Sequence, residues 1–247
     1  MKIKIKINLW KKGMIDMKKI TIWGDSVLKG VVLEEGRDRY SLLKDSSIEL
    51  TKKELGLTIK NNSKFGLTVT KAMRLMDKSL SKGDLPNYAL VELGGNDCDY
   101  NWKEISENPD GEYLPNTPLP KFIESINTII EKFRANGIEP ILTNLPPLSS
   151  QKYFDWFAKN GLNTDNIKKW MGNIDRIYKH QETYSLALMD IANKQKCDLI
   201  DIRTPIILEQ NVDDYICEDG IHPNEKAHKL MANTFINYIN KKMAYPS

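Results

Sequence analysis

The stretch "KITIWGDSVLKG" at residues 19–30 sets a short apolar run directly against Gly24-Asp25-Ser26 and then against residues able to open a helix. Ile, Thr and Trp in "KITIW" (19–23) read as a buried strand. A serine at the junction that follows is either a plain helix cap or a hydroxyl presented at a strand end. The choice depends on what the rest of the chain brings to the same edge.

Other segments repeat the first. "LTIK" (57–60), "YALVEL" (88–93), "IEPILTN" (138–144) and "DLIDI" (198–202) also read as short buried strands. Between them lie helical stripes. Val69, Ala72, Met73, Met76 and Leu80 keep one face, and Phe122, Ile126, Ile129, Ile130 and Phe133 keep another that stops at Asn136-Gly137. Ile177, Tyr184, Leu188 and Ile191 mark a third, and Ala227, Leu230, Met231, Thr234, Tyr238 and Ile239 the last. Strands alternating with helices give an α/β fold with a parallel sheet covered on both faces, whose chemistry gathers at the carboxyl ends of the strands. Two connections, 97–120 and 145–172, are long enough to act as lids or pocket walls.

Composition narrows the function classes. The chain has 247 residues, 40% hydrophobic and 28% charged, the balance of an ordinary globular protein, and no apolar run reaches a membrane-spanning length of roughly 20 residues. Residues 1–19 carry seven Lys and one Asp, which leaves 29 basic and 32 acidic residues elsewhere. A body that is mildly acidic argues against a nucleic-acid partner. The Lys/Ile alternation at the start reads as an extension over residues 1–16, an edge strand or loose segment, ahead of a single domain over 17–247. It lacks the continuous apolar core of an export signal, so a cytoplasmic location is expected. Cys98, Cys197 and Cys217 are an odd, widely spaced set that suits free thiols in a reducing compartment.

Three places carry chemistry: Ser26 after the first strand, "LGGND" at 93–97, and "EDGIHPNEKAH" at 218–228. Together they offer a hydroxyl, an amide, a carboxylate and an imidazole, the set that acyl transfer to serine requires. Of the three histidines, His180 falls within a helical pattern and reads as a solvated or satisfied side chain, and His228 lies inside the last helix and reads as structural. His222 precedes Pro223 near a helix start with Asp219 three residues earlier. That spacing lets Asp219 meet the ring Nδ1–H and leaves Nε2 to accept from Ser26, although Asp219 equally suits a turn cap. For negative charge on a substrate carbonyl, donors are available from the Ser26 N–H, the Asn96 amide and the Gly66 N–H, with a structural turn as the competing role for Asn96.

Gly24-Asp25-Ser26, the isolated Gly66, Gly94-Gly95-Asn96-Asp97 and Asp219-Gly220-Ile221-His222-Pro223 resemble, in order, the blocks of the SGNH (GDSL-type) hydrolase family. The resemblance spans residues 19 to about 240. Val27 stands where the familiar signature has Leu, and the surroundings of Gly66 are undistinguished. The resemblance implies a three-layer α/β/α sandwich with a mainly parallel, flavodoxin-like sheet of about five strands. It also implies an esterase without cofactor or metal, with Ser26 as nucleophile, Asp219 and His222 completing a triad, and Ser26, Gly66 and Asn96 as the oxyanion hole. A small-molecule ester would be the partner, with the acyl group, the alcohol, ester against thioester and the oligomeric state all left open. A non-catalytic small-molecule or carbohydrate binder on the same scaffold is the alternative. Trp102 and Trp156, in the two long connections, are the candidates for a substrate pocket, against a purely core-sealing helix over "YFDWF".

Overall fold

The computed structural model of the protein describes residues 19–83 and 85–244. The extension expected over residues 1–16 lies outside the described residues. Strand β1 (Ile20–Gly24) leads into the one-turn helix α1 (Ser26–Lys29), a hairpin of β2 (Val31–Leu33) and β3 (Tyr40–Leu42), helix α2 (Ser47–Leu55) and strand β4 (Ile59–Asn61). Helix α3 (Val69–Leu80), strand β5 (Tyr88–Glu92), helices α4 (Trp102–Glu107) and α5 (Leu119–Ala135) and strand β6 (Glu139–Thr143) follow. The chain then forms α6 (Ser150–Ala158), α7 (Thr164–Met171), α8 (Arg176–Gln195), β7 (Asp198–Ile200), α9 (Thr204–Ile207), a 3-10 turn (Val212–Tyr215) and α10 (Glu225–Ala244).

The five strands expected from the sequence form one parallel sheet in the order β4-β1-β5-β6-β7. Neighbouring residues of a strand point to opposite faces, and the core divides accordingly. Trp23, Ala89, Val91 and Leu142 face α3, α5 and α8, whose apolar stripes cover them. Ile22, Leu90 and Ile141 face the other way, against α1, α2 and α10. The hairpin β2–β3 and helix α2 were not foreseen: strands of three residues are too short to show a period, and α2 buries only Ser47, Ile48 and Thr51.

All five strands of this sheet end at one edge, and both long connections leave from it. They are not irregular. Helices α4, α6 and α7 pack around Trp102, Ile105, Phe154, Phe157, Ile167 and Met171, a small third core. Trp102 and Phe157 stack with centroids 4.7 Å apart.

Asp97, just past β5, fixes α3 to this edge. Thr68, the cap residue of α3, makes no side-chain cap bond. Both Asp97 oxygens accept from the Val69 N–H instead, at 3.0 and 3.1 Å. Burial pushes the Asp97 carboxyl up to about 6 despite hydrogen bonds from Thr117 and Val69 that pull it down. The folded protein therefore holds this proton more tightly than the unfolded chain, whose carboxyl has the ordinary value of 3.8. Stability on this account is lost as pH rises from about 4 to about 6 and is level above that. Urea unfolding across this range is expected to show wild type losing stability relative to Asp97→Asn as pH rises. Parallel curves for the two proteins would show that Asp97 does not titrate there.

Candidate active site

Ser26 is the first residue of α1, so its N–H has no acceptor within the helix. Asp25 caps that helix, its Oδ1 accepting from the Val27 N–H at 2.8 Å. The other oxygen accepts from Asn96 Nδ2 at 2.9 Å, which ties the end of β1 to the turn after β5. Gly94, at φ 139, makes this turn in a conformation that side-chain-bearing residues avoid, and an added Cβ there would press on Leu145 at 3.1 Å. Asn96 Nδ2 also lies 3.4 Å from the Leu67 carbonyl, so the turn at Gly66 sits beside the amide.

Beneath this junction Asp25 and Glu92 are buried together, 2% and 1% exposed, with the Asp25 N–H donating to Glu92 Oε2 at 3.3 Å. Two carboxylates in such a place cannot both ionise cheaply. Burial first, and the Asp25 charge second, push Glu92 well above the carboxylate range. Burial also raises Asp25, against the Val27 N–H and the nearby His222, which pull it down. Burial thus works against both members of the pair carrying a charge at once.

The last block closes over Ser26 from the other end of the chain. Asp219 Oδ1 accepts from the N–H groups of Ile221 and His222, both at 3.1 Å, and this folds the segment into a tight turn. Its Oδ2 meets His222 Nδ1 at 2.5 Å, and His222 Nε2 meets Ser26 Oγ at 2.9 Å. Burial raises the Asp219 carboxyl, but the hydrogen bonds and charge of His222 outweigh it and hold the group below its ordinary range. An ionised Asp219 favours the tautomer with the proton on Nδ1, which leaves the Nε2 lone pair aimed at the serine hydroxyl. Such a run can take a proton from Ser26 and return it to a leaving group.

The surroundings of His222 differ on its two sides. Toward solvent, Tyr40 meets the ring edge-on at 5.2 Å and Phe65 stacks on it at 5.9 Å. Trp156 joins this outer rim through Tyr40, at 6.4 Å. Inward, a cavity of about 90 Å³ runs from Ser26 past Asn96 and Leu145 to Trp102, Trp170 and His180. Of the two tryptophans singled out in the sequence, Trp102 lines this cavity and Trp156 lies on the outer rim. Helix α6 forms over "YFDWF": Phe154 and Phe157 join the third core, whereas Tyr153 lines the cavity and donates to Asp99 at 2.8 Å. His228 is buried, its Nδ1 facing the Ser47 N–H at 3.2 Å, and burial pushes the ring down to about 4. Among the described residues no three His, Cys, Asp or Glu side chains converge as a metal site needs, and no helix is long and apolar enough to cross a membrane.

The family model described as GDSL-like Lipase/Acylhydrolase matches residues 23–235. The chain belongs to this family. Solved members of similar fold include a lipase/acylhydrolase from Enterococcus faecalis, with TM-score 0.67 and 16% identity over 92% of this chain and 97% of that one. A psychrotrophic esterase from Pseudoalteromonas sp. gives 0.59 and 18% over 92% and 100%. An acetylxylan esterase from Geobacillus stearothermophilus gives 0.63 and 15% over 90% and 94%. No curated protein matches the chain. Within the GDSL-like frame, Tyr40, Phe65 and Glu92 are not marked by the sequence, and His180, read there as a solvated or satisfied side chain, has a buried Nε2 with no hydrogen-bond partner among the described residues. Only Glu92 carried a signal, as a lone acid immediately before the Leu-Gly-Gly turn that ends a buried strand.

Gly220 sets the height of the His222 turn. Its φ is 78, its carbonyl accepts from the Ser149 N–H at 2.8 Å, and an added Cβ would lie 2.6 Å from Tyr153 Cα. Gly220→Ala is expected to lose at least about 2 kcal/mol in urea unfolding and most of the activity. Gly161, at φ 75 with open space around it, is the control. There Ala should cost only the backbone strain, about 1 kcal/mol. Equal losses at the two positions would show that packing against α6 is immaterial.

Proposed function

We propose that the protein is a carboxylic ester hydrolase that works through an acyl-enzyme on Ser26. The observation that carries this reading is the continuous run from Asp219 through His222 to Ser26 Oγ, with contacts of 2.5 and 2.9 Å. In the first half, Ser26 Oγ bonds to the ester carbonyl carbon as its proton passes to His222 Nε2. The tetrahedral adduct then collapses, the C–O bond to the alcohol breaks, and the alcohol leaves with the proton from Nε2. Water repeats the sequence on the acyl-enzyme, giving its proton to Nε2, and the acid and free serine are released. Negative charge on the carbonyl oxygen is met by the N–H of Ser26, the N–H of Gly66 and the Asn96 amide hydrogen not held by Asp25, which gives up its long 3.4 Å contact with the Leu67 carbonyl. Asp219 keeps the ring in the productive tautomer and offsets its positive charge.

Short acyl groups, acetylated sugars and small lipid esters suit a cavity of about 90 Å³ better than long chains do. Thioesters would pass through the same steps. The free thiols at Cys98, Cys197 and Cys217 support a reducing compartment, the cytoplasm.

A fluorophosphonate probe is expected to modify Ser26, located by mass spectrometry of the labelled peptide, and Ser26→Ala should abolish both labelling and turnover of 4-nitrophenyl acetate. Labelling that persists unchanged in Ser26→Ala would overturn the nucleophile. His222→Ala should lower kcat by at least about 10³-fold. Asn96→Ala should lower kcat by about 10²–10³-fold with little change in KM, because an oxyanion donor acts in the transition state. A defect confined to KM would instead make Asn96 a ground-state binding residue.

A further inference from the structure

His222 Nε2 takes the proton of Ser26 Oγ, 2.9 Å away, and has to return it to the departing oxygen. That task fixes where the parts of an ester lie. The oxyanion points toward the N–H groups of Ser26 and Gly66, and the departing oxygen must come within hydrogen-bond reach of Nε2, about 3 Å. The alcohol is therefore built out from beside the imidazole. The acyl chain takes the remaining direction, into the cavity that opens at Ser26.

What stands beside the imidazole is aromatic, and it comes from three separate elements. Tyr40, on β3, meets the ring edge-on at 5.2 Å, and Phe65, in the Gly66 turn, stacks on it at 5.9 Å with the planes 24° apart. Trp156, on α6, meets Tyr40 at 6.4 Å. The planes of Tyr40 and Phe65 stand 59° apart at 5.4 Å, so the two rings form a corner. None of the three rings belongs to the three cores, and none lines the inner cavity. Phe65 is 56% exposed, whereas His222 is 2% exposed. Core packing thus does not account for their convergence. A flat ring can offer its face to one wall of such a corner and its edge to the other, the geometry in which aromatic groups attract. A thin alkyl chain meets only one wall at a time.

We propose that Tyr40, Phe65 and Trp156 form the alcohol subsite, and that the alcohol it accepts carries a flat ring laid in the corner beside His222. This inference deepens the reading of Ser26 and His222 as nucleophile and base, and rests on it. The acyl group lies on the other side of Ser26 and is not read by these rings. An aryl ring and a pyranose share the required face, and matched esters separate them.

The acetates of ethanol, n-hexanol, benzyl alcohol and the primary hydroxyl of methyl β-glucopyranoside have similar alkoxide leaving groups, so their kcat/KM values compare alcohol binding rather than reactivity. Wild type is expected to favour at least one ring acetate over both alkyl acetates by about tenfold or more. A lead for the glucoside acetate assigns a carbohydrate alcohol, and a lead for benzyl acetate an aromatic one. Phe65→Ala and Trp156→Ala should each lower the ring-to-ethyl ratio by about three- to tenfold, and Phe65→Tyr should keep most of it. The ratio of ethyl acetate to ethyl butyrate should not follow these changes, because the acyl chain lies elsewhere. Equal losses on every ester, or a ring preference that survives both alanine substitutions, overturns the subsite. Titrating the same esters into the Ser26→Ala protein, followed by ligand-observed NMR, reads binding without turnover. If wild type cleaves none of them but the ring esters bind more tightly there, and Phe65→Ala added to Ser26→Ala removes the difference, the hydrolase reading falls and the subsite stands. Cleavage with no ring preference over n-hexyl acetate leaves the hydrolase and overturns the subsite.

Discussion

The carboxylate of Asp25 is the constraint on which the site depends. It is buried, yet it caps the helix that begins with Ser26, holds the Asn96 amide across from β5 and lies in the field of His222. Removing a charge from water without partners is costly, so each of these contacts also works in reverse: the charge is tolerable only while the helix, the amide and the imidazole stay in place. Glu92 is buried beside it, and burial pushes both carboxyls toward their neutral forms, so the pair resists holding two negative charges. The end of β1 and the turn after β5 are held to one another through a single side chain.

This arrangement explains why a four-residue helix can place a reactive hydroxyl. A helix as short as α1 has no stability of its own. Its position comes from the parallel sheet beneath it, whose strands all release their loops on one side, and from Leu28, fully buried against β1 and β5 partners such as Ile22 and Leu90. The helices of the two long connections add a second, separate core above that edge. The cavity is the seam between the two cores, which is why its lining mixes sheet-edge turns with aromatic side chains.

Much of this was legible in the residues. Five apolar runs match the five strands to within two residues at each end, most plainly at β1, β5 and β6, which are buried along nearly their whole length. The helices α3, α5, α8 and α10 announced themselves by stripes that the sheet faces require. The order of Ser26, Asn96, Asp219 and His222 along the chain matched the order in which loops reach the carboxyl edge. What stayed hidden depends on packing between distant elements. Tyr40 belongs to a three-residue strand with no pattern of its own, and Phe65 to a turn, yet both rest on His222. His180 read as one more polar residue on an amphipathic helix, since nothing in its neighbours along the chain says that a cavity wall, rather than water, faces its ring.

Ser26 and His222 are 196 residues apart, and Ser47 and His228 are 181 apart. The strand that carries the hydroxyl precedes the other four strands of the sheet along the chain, whereas the turn that carries the imidazole comes just ahead of α10. A growing chain thus holds Ser26 for most of its synthesis with no base beside it, and α1, α2 and the rest of that face lack their cover until α10 docks. Completion of the apolar face and completion of the proton path are the same event. On the roles proposed for Ser26 and His222, a chain that has emerged only in part is chemically inert, and activity reports that β1 and the turn before α10 have met.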